Sequence, residues 1–259
     1  RLPLWNPYIG TGIPVIETSV FAILHPFTLL YTVLPFEQAN SVSAILRLAP
    51  AGLGMFLLLR VLGGGVAASL LGGMLFMLST FHLAFRFHPL PNVSGLLPFL
   101  LLLSELALRG ASARRCGAAW ALLGALALVG AHGETAVHVL AVTWAYHLLR
   151  AVSVEHGSRW SSIRRALMFL GGSSALALLA ATAVVWGHVL AIVDSNALHI
   201  RQGLMRPLPP IHLFSFVVPT SFRPGLHAAY LGVIPLLLAA RGLVARGPFP
   251  AWPWAIIGG

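Results

Sequence analysis

The chain has no lysine. Its sixteen cationic side chains, histidine aside, are all arginine, and they face only six acids. Charged residues make up 8% of the chain, where a soluble domain carries about 25%. So little charge leaves few soluble folds open, because most of the apolar surface would have to be hidden. The single cysteine, Cys116, excludes an internal disulfide and a cysteine-built metal site. Its simplest role is a small residue near a helix start. No nucleotide-binding glycine loop is present. Gly63-Gly64-Gly65 lacks the Lys-Ser/Thr of a P-loop, which disfavours soluble nucleotide-sugar or ATP chemistry. Apolar residues do not alternate with period two, which excludes a β-barrel.

What remains is oil: 58% hydrophobic residues and a mean hydropathy of +0.88. Lipid is the expected solvent. A sequence pI near 11.5 would ordinarily raise nucleic acid as a partner. The arginines do not form a strip interleaved with aromatics, however. They punctuate the ends of apolar runs, as positive charge does when it orients membrane helices. Nucleic acid is therefore rejected.

The expected fold class is all-α, a polytopic transmembrane helical bundle with a long Pro/aromatic-rich interfacial outer loop. Residues 1–39 form that loop, broken by Pro3, Pro7, Pro14, Pro26 and Pro35. Residues 40–259 form the membrane domain, with about seven spans and a truncated one. The spans are Ser41–Leu59, Val66–Phe85, Val93–Leu108, Gly117–Ala131, Glu134–Leu149, Ala166–Val193 and Ala228–Ala245. Ile211–Pro219 is too short to cross and reads as re-entrant or interfacial. One helix over 117–149 would be about 50 Å long, against a hydrocarbon core of about 30 Å. The run is therefore split into a hairpin at His132-Gly133. Gly72-Gly73 and Gly171-Gly172 should let helices approach closely. An opening arginine and a short closing apolar run suggest an internal piece of a longer protein.

Loops 60–65, 109–116, 150–165 and 241–250 hold ten arginines, and loops 1–39, 86–92, 131–134 and 194–227 hold five. The first set is cytoplasmic by the positive-inside rule. The other side carries Glu17, Glu37, Glu134 and Asp194, six histidines and the two longest loops. Long loops are where binding and catalysis concentrate.

Three outer segments could carry chemistry. In the first, Trp5 and Tyr8, with Asn6 between them, offer flat apolar faces with polar edges, suited to a sugar ring or a lipid headgroup. The bland alternative is a proline-braced interfacial loop, with Glu17 as a solvated charge. In the second, Glu134 and His138 share one helix face beside His132. That trio suits a hydrogen-bonded helix cap, a substrate contact or, with the spacing against it, a metal. In the third, Asp194 lies seven residues before Arg201, with Arg206 beyond and Arg223 in the same outer loop. Arginine there could hold a phosphate by charge-assisted hydrogen bonds, with Asp194 orienting it or acting as base. The alternative is plain charge at a helix exit.

Several of these residues carry a resemblance. Leu2-Pro3-Leu4-Trp5-Asn6-Pro7-Tyr8, then Gly12-Ile13-Pro14 and His25-Pro26, resemble the first outer loop of the bacterial YfhO-like membrane proteins. Gly130-Ala131-His132-Gly133-Glu134-Thr135, Asp194 with Arg201, and Tyr230 to Leu238 resemble later motifs of that family, in order. The chain departs from the pattern at His25, where the family favours Tyr, at the inserted Ala131, and at Asn196 or Ala197. The resemblance implies a GT-C-like glycosyltransferase in the bacterial inner membrane. Such an enzyme moves a sugar from a polyprenyl-phosphate carrier to an acceptor on the outer face. It implies an acid in the first outer loop as base or metal-binding group, expected before Arg1, with Glu17 as the fallback. No cofactor is certain; a divalent cation, Mg or Mn, is the one such sites take. The expected partners are the polyprenyl-phosphate-linked sugar, membrane lipids and further membrane subunits. Two rivals stand beside this. One is a non-catalytic structural subunit of a larger membrane complex. The other is a transporter or flippase, for which Arg47 and Glu105 inside spans would matter.

Overall fold

The computed structural model describes residues 5–8, 12–15, 22–130, 133–154 and 158–194. These are mostly helical. Their one sheet is a two-residue ladder, β1 (Trp5–Asn6) against β2 (Ile13–Pro14), with Trp5 opposite Pro14. Gly12 makes the ladder possible. Its φ is +99°, and a Cβ there would lie 2.5 Å from the Trp5 indole. The entry segment continues as α1 (Pro26–Leu29) and a 3-10 turn (Leu30–Thr32) before the long helices begin.

Helix α2 runs Phe36–Val61, beginning five residues before the expected span. Glu37 and Gln38, being polar, fall in the expected loop 1–39. They instead form the helix's first turns, where Glu37 faces the positive end of the helix dipole. The expected second span, Val66–Phe85, is not one helix. It breaks into α3 (Val66–Met77) and α4 (Thr80–Ala84). Ser79 is extended, and the His82 ring takes up the Phe76 carbonyl at 2.9 Å, a helical acceptor near the break. The third span is α5 (Leu90–Ser94) and α6 (Leu97–Leu108), nearly continuous. Then come α7 (Ala113–Val129), α8 (Gly133–Val154) and α9 (Arg159–Asp194). The stretch 117–149 is thus two helices, as the bilayer thickness demanded.

Three helical stretches are long and apolar enough to cross a membrane: Phe36–Val61, Leu90–Leu108 and Arg159–Leu190. These are the three that the described residues hold. The stretches expected at 211–219 and 228–245, and the loop 194–227 beyond its first residue, lie outside them.

The core forms where α5 to α9 meet. Trp120, Leu100, Leu170, Val93 and Ala127 are fully buried there. A smaller cluster of Leu58, Leu101, Leu102 and Tyr146 joins α2, α6 and α8. Gly73 lets α3 approach α2, since a Cβ on it would lie 2.8 Å from the Gly52 carbonyl oxygen. A Cβ on Gly72 would strike only the end of the flexible Leu59 side chain. Gly171 and Gly172 do not serve close packing: a Cβ on either meets nothing within 4 Å. Large apolar side chains face outward along the spans, among them Ile45, Leu53, Leu179 and Trp186. A surface of that kind suits lipid contact.

Candidate functional site

Polar side chains gather inside the bundle at two places. The first lies at the end where α2 begins. Asn40, Ser43 and Arg47 recur three and four residues apart, so they share one face of α2. That face turns inward. Arg47 is buried; its Nε donates to Asn92 Oδ1 at 2.8 Å and its Nη1 to the Arg86 carbonyl at 3.0 Å. The Tyr31 phenol faces the same guanidinium. Tyr31 also donates to Asn40 Oδ1 at 3.0 Å and lies 3.2 Å from Ser43 Oγ. These contacts seat the 3-10 turn on α2. His25 is buried beside them, and its Nδ1 accepts from the Phe27 N–H at 3.4 Å, capping α1. Burial first, and then the charge of Arg47, hold the His25 pKa down at about 4, so the ring is neutral at pH 7.

Beside this cluster, His82 ties the α3–α4 break to α5. Its Nδ1 lies 2.9 Å from the Phe76 carbonyl, which only accepts, so Nδ1 carries the proton. Its Nε2 then accepts from Ser94 Oγ at 3.1 Å in the neutral ring.

The second place lies at the other end of α6. Glu105 has no exposed surface, yet it accepts from four donors. Arg150 grips it with two nitrogens, at 2.7 and 3.1 Å; Tyr146 donates at 2.7 Å and Arg109 at 2.8 Å. Glu105 on α6 and Arg109 at its C-cap are four apart, as Tyr146 and Arg150 are on α8, so two helix faces meet in one fork. Its acceptor sites are filled from within the protein. This makes Glu105 a clamp between helices α6 and α8.

The residues singled out from the sequence are placed as follows. Trp5 is 55% and Tyr8 93% exposed. Asn6 Oδ1 accepts the Tyr8 N–H at 3.0 Å and so folds its own turn. Glu134 is exposed in the first turn of α8, with His138 exposed on the same face. Asp194 is the last residue of α9. Glu17, His132, Arg201, Arg206 and Arg223 lie outside the described residues. Among the described residues no three of His, Cys, Asp and Glu lie together as a metal site.

The Arg47 cluster was only half legible. Arginine inside an apolar run marks a functional group, and Arg47 stood out for that reason. Its partners Asn92 and Arg86 lie 45 and 39 residues away, in a Pro-broken stretch with nothing to tie it to α2. The chain matches no family model, no curated protein and no solved structure.

Proposed function

We propose that this protein is a membrane glycosyltransferase of GT-C-like architecture, taking a sugar from a polyprenyl-phosphate carrier on the outer face of the bacterial inner membrane. One observation supports this above the ordered motifs. At the end that the arginine count assigns to the outside, the bundle keeps a buried polar cluster, Arg47 with Asn92, Tyr31 and His25. Groups of this kind are costly in lipid and persist where a substrate needs them. In this reading Trp5, Asn6 and Tyr8 wall the sugar site, and His132 and Glu134 also contact the substrate. Arg201, Arg206 and Arg223 hold the phosphate. Asp194, and Glu17 or an acid before Arg1, serve as base. Holding the phosphate charge as it leaves supplies much of the rate.

A second reading, a structural subunit with the same fold, draws on a separate observation. Arg47, Asn92 and His25 are each less than 5% exposed, and Trp5 and Tyr8 point outward, where a partner chain could cover them. The test is Arg201→Ala in native membranes supplied with a polyprenyl-phosphate sugar. The transferase reading expects transfer to fall about a hundredfold or more with the protein still folded. Unchanged transfer, or none by the unaltered protein, leaves the subunit reading in its place.

A further inference from the structure

The two buried polar sites differ in one respect. At the α6–α8 fork a buried acid is matched by two arginines. At the α2 end a buried arginine is matched by no acid among the described residues. Arg47 spends its donors on an amide oxygen and a backbone carbonyl, neither of which cancels its charge. An uncompensated buried cation is expensive. A second atom beside it is also unused. Asn92 is 2% exposed; its Oδ1 is taken by Arg47, and its Nδ2 donor has no partner. The amide orientation is fixed, because Arg47 can only donate. The rim adds more positive charge. Arg86 is exposed, its guanidinium 4.6 Å from the centre of the Phe87 ring, and it pairs with no acid among the described residues. Tyr31 and Asn40, both part-exposed, line the approach.

Depth points to the kind of anion. Arg47 lies six residues inside the apolar run that begins at Ser41, about 9 Å at 1.5 Å per residue. Its side chain reaches toward the loop 86–92 and so toward the headgroup layer. An anion there arrives on an acyl or prenyl chain. We infer that Arg47 and Asn92 Nδ2, with Arg86 at the rim, form a seat for the phosphate of a membrane lipid. Tyr31 and the α1 to 3-10 segment cover the seat when it is empty, held by the phenol's bonds to α2. Lipid phosphate takes the place of the missing carboxylate, and Asn92 Nδ2 gains its acceptor. This inference rests on the outward placement of the α2 end in the proposed function, and it assigns phosphate recognition to residues that the motifs left out.

The test needs no sugar transfer. The full chain is purified into neutral phosphatidylcholine nanodiscs doped with phosphatidic acid or with polyprenyl phosphate, and retained lipid is counted by native mass spectrometry. Asn92→Asp is the informative variant, since it gives Arg47 a carboxylate of its own and removes the open donor. The expected result is that Asn92→Asp unfolds at a higher temperature and retains about tenfold less phosphate lipid. Arg47→Gln should lose retention likewise, and Arg47→Lys should keep part of it. Inorganic phosphate at the same concentration should not compete, which separates a lipid seat from a free-phosphate site. Equal retention by Asn92→Asp and the unaltered protein overturns the seat, as does competition by free phosphate. If retention behaves as expected while no sugar is transferred, the transferase reading fails and the seat stands.

Discussion

A buried charge holds its partners in place here, and Glu105 shows what its removal costs. Glu105→Ala strands Arg150 in the bundle, and breaking a buried pair from one side typically costs about 3–5 kcal/mol. Thermal unfolding in detergent should show a loss of that order. Replacing both Glu105 and Arg150 with methionine should recover most of it, because neither charge is then left alone; an unrecovered double variant refutes the clamp. His25 sets a pH dependence of definite sign. Its folded pKa of about 4 lies below the ordinary histidine value of 6.5. Above pH 6.5 neither the folded nor the unfolded ring binds a proton, and stability is unaffected. As pH falls from 6.5 toward 4 the unfolded ring protonates first, so stability drops, by about 1.4 kcal/mol per pH unit at the steepest. Below 4 both forms are protonated and the loss levels off. His25→Asn keeps a capping acceptor and should flatten the curve between those limits. An unchanged slope in equilibrium unfolding would remove His25 as its source.

Among the helices, glycine pairs that look alike in sequence do different things. Gly73 faces the backbone of α2, where the Gly52 carbonyl cannot yield without moving the helix. Gly73→Ala should therefore push α3 away and destabilise by about 1–3 kcal/mol. Gly171 sits in the middle of α9 with open space where a Cβ would go. Gly171→Ala should be neutral or stabilising by up to about 1 kcal/mol, from helix propensity alone. Unfolding temperatures of the two variants should move in opposite directions or differ plainly in size; equal losses would contradict the α2–α3 packing. The break between α3 and α4 belongs to this scale as well. Hydropathy alone reads Val66–Phe85 as continuous, because Ser79 and Thr80 are too few to lower it. At the break the His82 ring takes the Phe76 carbonyl in place of a further helical N–H, and Ser79 Oγ lies 2.9 Å from the same ring nitrogen.

For the molecule as a whole, sidedness is the property on which the proposed function depends. In a Cys116→Ala background, Glu37→Cys and Ser158→Cys place thiols at exposed positions on opposite expected faces. A membrane-impermeant maleimide added to intact cells should label the first, and the second only after permeabilisation. The reverse pattern would put the Arg47 cluster on the cytoplasmic side and end the outer-face reading. The sequence by itself determined that the chain is helical and suited to lipid, and where its longest apolar helices run. It could do so because apolarity over twenty residues is a sum of local terms and needs no partner. It also singled out Arg47 and Glu105, since a lone charge in such a run is conspicuous. Only the tertiary structure decided that these two differ. Glu105 meets Arg150 and Arg47 meets Asn92, each across 45 residues of chain. Whether a buried charge is cancelled or left open depends on which helices pack face to face, and no local pattern contains that.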